Sequence, residues 1–84
     1  MKLITALLLF TTLLLATVDI NNATADEFTA LKGVGVKKAK GIVEYRTTIK
    51  CFKTIDELTK VKGIGDSTIS KNKEILTLGE CKVK

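Results

Sequence analysis

The sequence has no His, no Pro and no Trp among its 84 residues, and only two Cys and one Tyr. Each absence excludes something. Without His the commonest general base and metal ligand is missing, and two Cys alone do not complete a tetrahedral zinc site. A chain this short has room for one domain at most, which disfavours a hydrolase or dehydrogenase with its own pocket. No nucleophile stands with an attendant base, no carboxylates cluster at metal-ligand spacing and no Walker sequence is present. These absences point to a binding protein and not an enzyme, with no cofactor expected.

Long apolar runs are missing too, with one exception. Leu3 to Ala16 carries no charge and comes directly after Lys2. It falls short of the roughly 20 apolar residues that a spanning helix needs. A basic start, an apolar run of about 7 to 15 residues and a small residue at its end describe a secretory signal peptide. Residues 1–16 are therefore expected to be a leader, cleaved at about 16–18, with an uncleaved N-terminal anchor as the alternative. The mature domain, 17–84, would be exported and keep no stable membrane insertion. Its charge is 13 − 9 = +4, because Lys2 is lost from the 14 basic residues and all 9 acidic ones remain.

So small a domain often needs a staple. Export would bring Cys51 and Cys81 to an oxidising compartment where disulfides persist. Closing a loop of about 30 residues is worth roughly 3 to 4 kcal/mol in the chain-entropy account. Two free thiols are the alternative.

The mature chain repeats itself at an offset of 30. Asp26-Glu27-Phe28-Thr29-Ala30-Leu31-Lys32-Gly33-Val34-Gly35 aligns with Asp56-Glu57-Leu58-Thr59-Lys60-Val61-Lys62-Gly63-Ile64-Gly65, identical at six of ten positions and apolar for apolar at three more. Cys51 aligns with Cys81, so a pseudo-twofold axis between the copies favours their pairing. Unit one covers about 24–50 and unit two about 54–80. Each opens on a capping box, Thr24-x-x-Glu27 and Thr54-x-x-Glu57. Asn22-Ala23-Thr24 is formally a glycosylation sequon, but the capping role of Thr24 takes precedence.

Behind each box, Phe28 with Leu31 and Leu58 with Val61 fall on one face of a two-turn helix. Gly-apolar-Gly then stops the helix. A second helix is expected after each turn, carried by Ala39, Ile42, Val43 and Ile49 in unit one and by Ile69, Ile75 and Leu76 in unit two. Asp66 or Ser67 is expected to cap the latter, and Gly41 is a weak point in the former. No stretch alternates as a strand, so the class is all-α, with two copies covering each other's apolar faces. Asn21, Asn22 and Ala23 pack as an N-terminal extension, and Phe28, Tyr45 and Phe52 belong to the core.

The two glycine turns carry the chemistry. A turn of this kind entering a helix presents unpaired amides and the positive end of the helix dipole, and the glycines admit a phosphate close to the backbone. Lys32, Lys37, Lys38 and Lys40 flank the first turn, and Lys60, Lys62, Lys71 and Lys73 surround or succeed the second. Two such clusters suit a polyanion better than a merely solvated surface.

Leu31-x-Gly33-Val34-Gly35-x-x-x-Ala39-x-x-Ile42-Val43 matches the helix-hairpin-helix motif. Val61-x-Gly63-Ile64-Gly65 is a weaker copy that departs at Ile69, Asn72 and Lys73. The stretch from Val18 to Gly79 resembles the DNA-binding domain of the ComEA competence family. That resemblance implies a tandem helix-hairpin-helix domain that binds double-stranded DNA through its backbone during DNA uptake, in the periplasm of a Gram-negative bacterium. The long anchored forms carry a further N-terminal domain, and a cysteine pair lies outside the family pattern. By the resemblance, the amides of Gly33, Val34, Gly35, Gly63, Ile64 and Gly65 hold phosphates. Lys37, Lys38 and Thr68 add side-chain contacts, and Lys32 and Lys62 lie nearby. DNA-uptake channel proteins and self-association on DNA are compatible partners, and a monovalent cation at a hairpin is compatible with the family. Contacts of this kind do not read bases. A helix-hairpin-helix module that docks a protein partner in the envelope is the alternative.

Overall fold

The computed structural model describes residues 17–82. The expected leader at 1–16 lies outside the described residues. In chain order come β1 (Val18–Asp19), α1 (Ala25–Phe28), α2 (Val36–Ile49), a 3-10 helix (Ile55–Lys60), α3 (Asp66–Lys71) and β2 (Leu76–Thr77).

Both units start as their sequences require. The Glu27 amide donates to Thr24 Oγ1 at 3.1 Å and the Thr24 amide to Glu27 Oε1 at 2.8 Å, closing the first capping box. The box recurs in unit two, where Glu57 Oε1 accepts from the Thr54 amide at 3.2 Å and from the Lys53 amide as well. The core is built from matched positions. Phe28 and Leu58, Leu31 and Val61, and Val34 and Ile64 are all buried, each pair 30 residues apart. Ala39, Ile42 and Phe52 join them, and Tyr45 packs its ring 5.9 Å from that of Phe52. This is the tandem all-α arrangement expected, with one small addition.

The addition is a parallel pair of two-residue strands, with Val18 opposite Leu76 and Asp19 opposite Thr77. It explains where unit two departs from the expected second helix. Helix α3 ends at Lys71, and the amides of Ile75 and Leu76 return to the Asn72 carbonyl at 3.0 and 3.1 Å. The chain bends there so that Leu76 reaches the core beside Val18, a pairing across 58 residues that helical periodicity does not reveal. The expected cap also moves. Gly65 is the N-cap of α3 with no side-chain bond, and Asp66 is its first helical residue, matching Gly35 before α2.

The N-terminal extension is anchored by polar side chains. Asn21 brackets Phe52, accepting from its amide at 2.7 Å and donating to its carbonyl at 3.1 Å, and donates to the Gly79 carbonyl at 2.9 Å. Asp19 accepts from the amides of Asn21 and Gly79, both at 2.9 Å, and from Asn22 Nδ2 at 2.8 Å. Burial alone would raise the Asp19 pKa, but these hydrogen bonds together outweigh it and hold the carboxyl below its ordinary 3.8. A Cβ on Gly79 would fall 1.9 Å from Asp19 Oδ2, so only glycine fits against this carboxylate. Arg46 donates to the Ile20 carbonyl at 3.0 Å and lies 5.7 Å over the Phe28 ring. Cys51 and Cys81 form a disulfide with Cα atoms 5.7 Å apart, fixing the segment after β2 to the end of α2.

Candidate nucleic-acid interface

Each hairpin turn begins as a hydrogen-bonded reversal. The Val34 amide donates to the Leu31 carbonyl at 3.2 Å, and the Ile64 amide to the Val61 carbonyl at 3.0 Å. Gly33 at φ +82° and Gly63 at φ +92° occupy the third position of these turns, in the left-handed region that disfavours a side chain. Val34 and Ile64 are therefore committed twice, with side chains in the core and amides inside the turn. This narrows the expected phosphate contacts. Among the described residues, the amides of Gly33, Gly35, Gly63 and Gly65 make no backbone bond, and those opening α2 and α3 have no intrahelical partner.

The helices that leave the two turns open differently. Val36-Lys37-Lys38 begins α2, with Val36 64% exposed, whereas Asp66-Ser67-Thr68 begins α3. An acid in the first turn already satisfies the positive end of α3 and repels a second anion. Thr68 is half-buried, and its amide turns back to the Gly65 carbonyl at 3.1 Å.

Of the expected side chains, Lys32, Lys37, Lys38 and Lys62 are exposed. Lys37, Lys38, Lys40, Gly41, Glu44 and Lys62 line one groove between α2 and the second turn. Lys38 reaches furthest. Its Nζ lies 3.4 Å from the Gly33 carbonyl and its stem runs along Gly63, where an added Cβ would stand 3.1 Å from Cε. A monovalent cation at hairpin one would meet this ammonium at the same carbonyl. Among the described residues no group of three His, Cys, Asp or Glu could hold a metal ion.

Asn72 is the residue whose role the sequence concealed. It is 2% exposed and clamps Lys32, accepting from the Lys32 amide at 2.8 Å and donating to the Lys32 carbonyl at 3.0 Å and the Thr68 carbonyl at 2.8 Å. A side chain of unit two thus fixes the residue that leads into hairpin one. The signal was a polar residue at the place where Ile42 stands in unit one.

The helix-hairpin-helix motif family matches residues 15–77, most of the described chain. The chain belongs to the helix-hairpin-helix family. Among its relatives, ComE operon protein 1 of Bacillus subtilis is 43% identical over 63 residues, covering 75% of this chain and 31% of that protein. An uncharacterized protein of Haemophilus influenzae is 44% identical over 57 residues, 67% of this chain and 51% of that one. Human endonuclease/exonuclease/phosphatase family domain-containing protein 1 is 40% identical over 55 residues, 66% of this chain but 10% of its own length. The chain thus spans about a third of one bacterial relative and about half of the other. Its paired hairpins and its likeness to the Bacillus protein make it a helix-hairpin-helix protein of the ComEA type.

Proposed function

We propose that this protein is an exported double-stranded DNA-binding protein that grips the phosphate backbone without reading sequence, and that it acts as a periplasmic receptor holding incoming DNA during uptake. The observation that carries the reading is the pairing of two glycine turns, joined by Lys38, beside a groove lined by Lys37, Lys40 and Lys62. Backbone amides and lysines placed this way position a phosphate chain and carry no base information. Likeness to a ComE operon protein supports a role in competence. Binding, with no chemical step, is the activity; hindering backward diffusion of DNA, passing it to channel proteins and associating along it extend the same reading.

Export fits the fold if the leader is cut before Val18, since Val18, Ile20 and Ala23 are all buried. Gel shifts at rising salt test the proposal. Affinity should fall with a log-log slope of about −0.9 for each phosphate neutralised and should be the same for unrelated duplexes. A slope near zero, or a strong preference for one sequence, would contradict it. Lys37→Glu with Lys38→Glu should abolish binding. Retained DNA binding in that variant would contradict the proposal; under the alternative, a module that docks a protein partner, the same change should leave the partner interaction untouched.

A further inference from the structure

We propose that Lys38 is a cation shared by both hairpins, so that hairpin two adds a charge from unit one to its own Lys62. This deepens the phosphate-binding reading and rests on it. The stem of Lys38 lies along the second turn, with Cε, Cγ and Cδ at 3.1, 3.5 and 3.6 Å from a Cβ placed on Gly63. The ammonium at its end stands 3.4 Å from the Gly33 carbonyl of the first turn. One charge therefore sits between the two amide-bearing turns.

Unit two has one lysine within the turn itself, Lys62, but no cation at the position that Lys38 fills in unit one. Thr68 occupies the position equivalent to Lys38, and Asp66 sets a negative charge on the first turn of α3. A phosphate approaching the Gly63 and Gly65 amides would meet repulsion from Asp66 unless a neighbouring cation offset it. Lys38 is the lysine of unit one laid against this turn, and an ammonium on a flexible stem serves as a point charge toward more than one oxygen. Gly63 is glycine for its positive φ, and the lysine stem lies against its bare Cα. The two turns act as one anion site with a common counter-charge.

Two alanine substitutions separate the hairpins. Gly35 and Gly65 have extended backbones and open space where a Cβ would point, so Gly35→Ala and Gly65→Ala leave the fold intact while a methyl obstructs each turn's amides. The affinity of a short duplex is measured for these, for Lys38→Met and for the doubles, with thermal melts confirming folding. Lys38→Met should weaken binding about tenfold and reduce the salt slope by about 0.9. In the Gly65→Ala background the same change should cost no more than about twofold, a non-additivity expected of groups sharing one phosphate. Lys38→Arg should restore binding. A full tenfold loss in the Gly65→Ala background would overturn the shared role while leaving phosphate binding in place. Wild-type affinity in all three single variants would overturn both readings.

Discussion

The two units share a start and diverge after the turn. Unit one runs on into a helix of 14 residues that opens with lysines, whereas the helix of unit two has 6 residues and opens with an acid. The shorter helix frees Leu76 and Thr77 to pair with Val18 and Asp19, and frees Asn72 to clamp Lys32. Unit one thus presents charge, and unit two closes the domain and holds the first hairpin in shape. Duplication supplied two phosphate-sized turns, and divergence divided the other tasks between them.

The largest expected effect comes from separating the units at their covalent link. Cys51→Ser with Cys81→Ser, or full reduction, should cost about 3 to 4 kcal/mol of stability by releasing a loop of about 30 residues, read as a lower denaturation midpoint. A loss under about 1 kcal/mol would show that the Asn21 and Asp19 anchors hold the C-terminal segment without the bond.

Next in size is the clamp. Asn72→Ala leaves the Lys32 amide and carbonyl without their buried partner and should cost about 2 kcal/mol. It should weaken DNA binding beyond the change in folded fraction, since hairpin one loses its support. The mirror change, Ile42→Asn, should destabilise more and gain no clamp, which would separate the two units' inner positions by experiment.

A smaller effect comes from pH. The folded Asp19 carboxyl titrates below its ordinary 3.8, so its stabilisation is present above that value and is lost as pH falls through the lower folded one. Melting temperature should drop across this acid range, and Asp19→Asn should flatten the drop. Glu57, also lowered, chiefly by the Lys53 amide, acts in the same direction. Gly41→Ala brings the smallest change. Its Cβ would meet Val61 Cγ1 at 3.7 Å, an ordinary contact, so α2 should gain up to about 1 kcal/mol in helix propensity.

Much of this was legible in the chain. The offset of 30, both capping boxes, the glycine turns, the Phe28 and Leu58 core positions and the Cys51 to Cys81 pairing all come from local pattern or from equivalence within the repeat. The features that escaped rest on contacts distant in sequence. The early end of α3 depends on a strand partner 58 residues away, and Asn72 finds Lys32 across 40. The cap passed from Asp66 and Ser67 to Gly65 because the turn sets the helix start one residue earlier. In the site, Val34 and Ile64 had amides engaged within the turn, and Lys38 crossed to the other unit; neither is visible from spacing.

The central claim is that the paired turns hold DNA phosphates. Titrating the 15N-labelled protein with a duplex of arbitrary sequence while tracking backbone amides tests it most directly. The shifts should concentrate at Gly33, Gly35, Gly63 and Gly65 and at Lys37 and Lys38, and added salt should reverse them. Shifts centred instead on Asn21, Asn22 and Gly79, or none at all, would contradict it.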